Sequence, residues 1–458
     1  MQQSTGMSPT ERRAALSLAS IMATRMLGLF MILPVFALYA EGLPDATPTL
    51  IGLAIGAYGL TQALLQVPFG MASDRFGRKR VITIGLLLFA AGSVVAAMSD
   101  TLTGIILGRA LQGCGAVAAA VMALTADLTR EEQRTKAMAI IGMSIGSAFA
   151  LALVVGPLLN EAVGVKGIFW LTAVLALGGI ALLWLRVPRP EQCSTHRDAE
   201  LVPEQAGSVL LDSQLLRLNA GILILHTILT AAFVVLPLVL RDELGIVAAH
   251  HSWVYLPILL FSAVAMVPFI IIAERKRRMK SIFVGAVTVL GLSLLALSQW
   301  HTNMLAFVVI LWLFFTAFNF LEASLPSLVS KTAPADKKGT AMGIYSSSQF
   351  FGAFLGGGVG GWAYGEFGVS GVFIFCAAMV GLWWLLAVSM RAPSYLSNLM
   401  VHLEEADTRS ADELAEVLKG VAGIAEVAVV LEERVAYLKV DTRQLDREAL
   451  DGLFAVSE

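Results

Sequence analysis

Arg25, Arg109, His226 and Glu322 stand inside long apolar stretches of this chain. An ionisable group in such a setting is costly unless it is paired or faces water, so each is a functional candidate. Glu322 follows Asn319 by three residues, which puts both on one helical face. A carboxyl there can carry a proton, and His226 offers a second group that titrates near neutral pH. Arg109 opens the run Arg109-Ala-Leu-Gln112-Gly113-Cys-Gly115. It is a functional candidate unless it only ties backbone carbonyls together. Tyr58, Gln62 and Gln66 recur every four residues, as do Tyr345 and Gln349, giving polar stripes that could line a solute cavity. No metal-ligand spacing, nucleophile–base arrangement or phosphate-binding loop occurs, so no enzymatic activity, cofactor, metal or ATP drive is expected. Cys114, Cys193 and Cys376 have neither metal-like nor disulfide spacing.

The elements that carry these residues are membrane spans. Hydrophobic residues make up 57% of the chain and charged ones 14%, against about 25% charged in soluble domains. Apolar runs long enough to cross a bilayer lie at 15–39, 50–72, 80–99, 101–128, 134–160 and 167–187, then at 214–240, 252–273, 281–299, 304–329, 340–364 and 369–390. The first run shows no cleavage signal and reads as a retained helix. The expected fold is thus an all-α membrane protein of twelve transmembrane helices in two six-helix bundles, 1–187 and 213–391, joined by a polar linker at 188–212. Arg and Lys gather at Arg12, Arg13, Arg75 to Arg80, Arg130 to Lys136, the linker, Arg275 to Lys280 and Lys331 to Lys338. That bias places both termini and the linker in the cytoplasm of a cell whose inner membrane holds the protein. The net charge of -2 gives no reason to expect a nucleic-acid partner.

The halves repeat at an offset near 200 residues. Val67-Pro68-Phe69 followed by Asp74-Arg75 returns as Val267-Pro268-Phe269 followed by Glu274-Arg275, and Leu33-Pro34 returns as Leu236-Pro237. Two six-span repeats in the same orientation suit bundles that rock around a midplane cavity. Between the second and third spans lies Gly70-Met-Ala-Ser-Asp74-Arg75-Phe-Gly77-Arg78-Lys79-Arg80. This run resembles the signature loop of the major facilitator superfamily, and its degenerate second-half echo resembles that family too. The resemblance implies a secondary transporter, most similar to proton-driven efflux members with an added cytoplasmic domain. It implies that Asp74 meets the start of the eleventh span near Lys338, that Arg78 pairs with Asp127, and that these contacts bias the conformational equilibrium. It also implies that the first, fourth, seventh and tenth spans line the cavity, so that Arg25, His226, Asn319 and Glu322 face solute and Glu322, Arg109 and His226 handle protons.

The fifth span carries Gly142, Gly146 and Gly156-Pro157, expected to serve close packing and a kink. They resemble the family's antiporter motif only in part, because Leu158, Leu159 and Asn160 follow. Efflux members often carry an acid in the first span, where this chain has Arg25. Both departures weaken the inference of proton antiport, but the resemblance still implies export of small amphipathic molecules as the leading expectation; import of a specific solute and a non-transporting sensor stay open. The expected partners are a small-molecule solute, protons and the lipid bilayer.

From 395 to 458 the composition changes to alternating apolar and polar residues with many acids. Strands at 398–403, 423–430 and 434–440 and helices at 412–419 and 446–454 are expected, a small α+β ferredoxin-like domain lacking its last strand. The segment 404–409 has no cysteine, so soft-metal binding is not expected. Glu404, Glu405, Asp407, Asp412, Glu413, Glu416, Glu432 and Glu433 make the domain acidic, and it is expected to contact the basic cytoplasmic face of the bundle.

Overall fold

The computed structural model describes residues 6–189, 202–392, 396–403, 409–431, 434–441 and 443–453. Cys193, most of the linker, the acidic segment 404–408, Glu432 and Glu433 lie outside the described residues. The first crossing is α1 (Pro9–Phe30) continued by α2 (Leu33–Ala40), with a break at Met31 and Ile32 just ahead of Pro34. Ser8 opens it with a capping box: its hydroxyl accepts from Glu11 N–H and the Glu11 carboxylate accepts from Ser8 N–H. Next come α3 (Pro48–Phe76) and α4 (Arg78–Met98), then α5 (Leu102–Cys114) and α6 (Ala118–Asp127), which share one crossing interrupted at 115–117. After α7 (Glu131–Leu185) and the short linker helix α8 (Pro203–Leu211), the second half runs through α9 (Ser213–Leu238), α10 (His251–Arg275), α11 (Met279–Trp300), α12 (Met304–Thr332) and α13 (Lys338–Val388).

α7 has 55 residues and α13 has 51. At about 1.5 Å per residue each spans more than twice the ~30 Å hydrocarbon core. Gly164 (φ 68°) and Gly368 (φ 67°) stand in the left-handed region inside them and turn each helix back. Each is therefore two crossings, and the described helices make twelve. The two reversals fall at matching places in the halves, as parallel repeats require.

The halves meet along α3 and α13. A Cβ on Gly52 would overlap the Gly357 carbonyl oxygen, and one on Gly59 would overlap that of Phe350. On Gly56 it would stand 2.9 Å from the Phe354 carbonyl oxygen. Gly361 meets Pro48 in the same way. Removing side chains on both helices lets the backbones touch, a packing mode that needs no hydrophobic driving force. Gly352, Gly356 and Gly360, on the adjoining face of α13, press on Leu223, Thr227 and Ala231 of α9. At the same end, Arg241 in the π turn Val239–Glu243 reaches Glu41 after α2 (2.7 Å), and Ser252 donates to the Val154 carbonyl (2.7 Å). The interface is thus sealed at the end opposite the signature loop.

The expected close packing at Gly142 and Gly146 is not made: both are exposed, and a Cβ on either would meet nothing within 4 Å. They lie in the part of α7 before Val154, on a face that includes exposed Met143. Gly156 does pack, against the Met31 carbonyl at the α1–α2 break.

The terminal unit holds β1 (Ser397–His402), α14 (Ala411–Lys419), β2 (Ile424–Val430), β3 (Val435–Val440) and α15 (Arg447–Gly452). The sheet order is β1-β3-β2, antiparallel throughout, the split arrangement of a ferredoxin-like unit. Leu414 and Leu418 of α14 and Leu450 of α15 pack on Leu438. Against the bundle, Arg277 stands 3.5 Å from Asp441, and Lys439 Nζ donates to the Thr332 carbonyl (3.4 Å).

Gly357→Leu should part α3 from α13. In a background freed of native cysteines, a Phe36→Cys thiol, fully buried as Phe36 is, should then react faster with an impermeant maleimide. An unchanged rate would mean that the glycine contact does not hold this end shut.

Candidate functional site

Two buried polar networks face each other across the interface. In the first half, Arg25 Nη2 donates to Tyr58 Oη (2.9 Å), to Gln62 Oε1 (2.8 Å) and to the Gly115 carbonyl (2.9 Å). Gly115 lies in the break between α5 and α6, so one guanidinium ties α1 to α3 and satisfies a carbonyl freed by the interrupted helix. Gln62 Nε2 then donates to Gln66 Oε1 (3.1 Å). Arg109 has a different setting: Nε donates to Ala54 O (3.3 Å), Nη2 to Ile55 O (3.1 Å) and Nη1 to Gln112 Oε1 (3.0 Å). Gln112 passes its own donor to Ser93 (2.7 Å). Of the two roles the sequence left open for Arg109, the geometry displays the carbonyl tie between α5 and α3. The Arg25 and Arg109 guanidinium groups lie 5.8 and 5.5 Å from the Tyr58 ring centre, within cation–π range.

In the second half, Gln349 of α13 gathers His226 of α9 and Glu322 of α12. Its Nε2 lies 2.8 Å from His226 Nε2 and donates to Glu322 Oε1 at 3.3 Å. With that donor on Nε2, the ring proton belongs on Nδ1, which stands 3.9 Å from Glu322 Oε2. The Glu322 side chain retains 37% exposure, against 11% for His226. Such a cluster can hold a proton on either group and hand it to water. Tyr345 is buried and, among the described residues, makes no hydrogen bond to it. Asn319 turns away and donates to Ser262 of α10 (3.1 Å). Tyr58 and Phe350, ring centres 5.8 Å apart, join the two networks where the seam ends.

The signature loop folds on itself. Gly77 (φ 94°) makes the reversal between α3 and α4 that other residues rarely adopt. Arg78, 2% exposed, pairs with Asp74, with Asp127 (3.1 Å) and with the Ser73 hydroxyl (2.9 Å). Asp127 is fully buried, whereas Asp74 keeps 38% exposure. Lys79 caps the far end of α7 through the Leu183 and Val187 carbonyls, and exposed Arg75 stacks on Phe76. Gly70 meets only Ala119. The expected contact of Asp74 with the start of α13 is absent among the described residues. Thr340, in that first turn, instead accepts from Val202 N–H (2.9 Å) of the linker and lies 3.2 Å from Gln205 Oε1. Asp74 is held instead by Arg78 of its own loop. In the second half Glu274 pairs with Lys331 (2.7 Å), and Arg277 (φ 52°) takes the left-handed corner that Gly77 takes in the first.

The sequence profile of the Major Facilitator Superfamily matches residues 18–357. The chain belongs to that family. It is 48% identical over 441 residues to the inner membrane transport protein YajR of Escherichia coli, covering 96% of this chain and 97% of that protein. An uncharacterized transporter of Buchnera aphidicola is 34% identical over 347 residues, 76% of this chain and 89% of its own. In the crystal structure of a human organic anion transporter the fold recurs with a TM-score of 0.63 at 18% identity, over 83% of this chain and 100% of that one. Major facilitators are secondary transporters.

Ser73, Ser93 and the glycines of the α3–α13 seam escaped the sequence reading. The 52, 56, 59 spacing was available as a small-residue stripe, but its partner helix was not. Arg78→Gln should lower unfolding stability by about 3 kcal/mol or more, because it strips the counter-charge from buried Asp127. Asp74→Asn, half in solvent, should cost about 1 kcal/mol or less. Thermal unfolding of the purified protein checks this; equal losses would contradict the assigned burial.

Proposed function

We propose that this major facilitator is a proton-coupled secondary transporter of small amphipathic solutes that works by alternating access. The observation that carries the proton coupling is the convergence of Glu322, His226 and Gln349 from three helices at the edge of the cleft. Glu322 is the group we assign to proton binding, with His226 as its relay. Arg109, held by carbonyls, shapes the first half and does not titrate in the cycle. Tyr58, Gln62, Tyr345 and Gln349 form the walls against which solute rests. Asp74, Arg78 and Asp127 set the balance between conformations, with Asp74 free to reach α13 once the halves close at its end. The signature-loop end is cytoplasmic, as are both termini.

Export is the direction that the likeness to efflux members implies. Import by co-transport is a second reading, and Arg25 favours it, because a cation occupies the span where efflux members often keep an acid. Transporters of similar sequence or fold carry names as different as triacylglyceride, organic anion and nucleoside transporter, so names select no solute.

In everted vesicles holding an acid interior, solutes that exchange with protons should dissipate the pH gradient. Glu322→Gln should abolish that solute-dependent dissipation while the protein still assembles. An undiminished response would remove Glu322 from the proton path.

The terminal unit is proposed to modulate the cytoplasmic gate through a weak, salt-sensitive contact; Arg277 with Asp441 is its exposed ion pair. Deleting 398–458 should leave an assembled transporter with altered activity, and cross-links from this unit to Arg277 should fade as salt rises. Normal transport by the truncated protein, with no cross-link at low salt, would refute the proposal.

A further inference from the structure

Arg25 and Arg109 are 1% and 2% exposed, and neither has a carboxylate partner among the described residues. Two full positive charges thus sit in the membrane part of the first half, satisfied only by neutral acceptors. Burial of cations without a counter-ion is expensive, and a field of this kind draws negative charge toward it. Arg25 also keeps two buried donors, Nε and Nη1, that bond to no atom of the described residues.

The hydrogen bonds give this charge a direction. Arg25 donates to Gln62, and Gln62 donates to Gln66. Gln66 uses its oxygen as acceptor, so its Nε2 amide is left as the free donor at the end of the relay. A relay that starts on a cation polarises each following donor. Gln66 also lies in a telling place. Gly52, Gly56 and Gly59 make one stripe of α3 against α13, and the same spacing of three and four residues continues through Ala63 to Gln66. The backbone contact of that stripe ends at Gly59 with Phe350. Gln66 therefore continues that stripe toward the signature-loop end, past the last of these glycine contacts, and is itself only 4% exposed.

From this we infer that the solute carries an anionic oxygen group, a carboxylate or its equivalent, taken up by the Gln66 end of the Arg25 relay with its apolar body between α3 and α13. The inference rests on the proton-coupled reading above, in its import form. The opposite wall holds Glu322, faced by His226 of α9 and by Gln349 and Tyr345 of α13. An anion in the cleft repels an ionised Glu322, so anion and proton bind best together; by linkage each strengthens the other. The loaded cleft then carries solute and proton as one neutral cargo, which an inward proton gradient drives inward.

Three probes of one shape separate charge from size: naphthylacetate, naphthylethanol and naphthylethylamine. Binding of each to the full chain in nanodiscs is measured by thermal stabilisation over a concentration series. The carboxylate should bind at least about tenfold more tightly than the alcohol or the amine. Arg25→Gln and Gln66→Glu should each erase that preference, and Gln66→Glu, which alters only the open end of the relay, serves where Arg25→Gln fails to fold. Equal binding of the three probes, tighter binding of the amine, or a carboxylate preference intact in Gln66→Glu would overturn the inference. Proton-driven uptake into liposomes is scored separately. Selective carboxylate binding without uptake would refute the coupling and leave the anion site standing; coupled movement of the amine alone would do the reverse.

Discussion

Backbone contact between α3 and α13 sets the position of every group discussed above. Where Gly52, Gly56 and Gly59 face Gly357 and Gly361, the halves have no room for a side chain, let alone a solute. Where these glycines end, the rings of Tyr58 and Phe350 meet across the seam. A seal that depends on the absence of Cβ atoms is tight in one arrangement and lost at once when the helices tilt, because it has no long side chains to stretch across a gap. Both features suit a protein that must open and close a path without leaking.

The polar groups then divide by half. The first half holds fixed positive charge, with Arg25 and Arg109 tied to carbonyls, amides and Tyr58. The second holds the titratable pair, His226 and Glu322. The proposed coupling places the fixed and the variable charge in different halves, so that both halves would contribute to it. At the signature-loop end the same economy appears: buried Arg78 serves Ser73 and two carboxylates, and the partly exposed one, Asp74, is the member available to a moving partner.

Much of this architecture was legible in the sequence. The twelve crossings follow from apolar run length, the parallel repeat from recurring Val-Pro-Phe and acid–Arg pairs, and the loop from the spacing of Gly70, Asp74, Gly77 and Arg78. The terminal β-α-β-β-α order was readable from the alternation of apolar and polar residues. Contacts between distant segments were not. Gly142 and Gly146 look like packing residues by type, yet what decides packing is the neighbouring helix, and there it is absent. Asn319 shares a helical face with Glu322 in a one-dimensional reading, but its amide bonds to Ser262, which only the crossing of α12 and α10 brings near. For Arg109 the residue type allowed two roles; the carbonyls of Ala54 and Ile55 that make one of them were not legible, because they lie on another helix.

The central claim is that one cleft, sealed by the α3–α13 seam at one end, opens alternately to the two sides. Spin-label distances across both ends of the bilayer-embedded protein test it most directly, with one pair spanning α3 and α13 beside the signature loop and another spanning Glu41 and Arg241. As pH is varied, the account predicts opposite changes, the distance at the signature-loop end shortening as the distance at the sealed end lengthens. Distances that move together, or a sealed end that never lengthens under any condition, would contradict it.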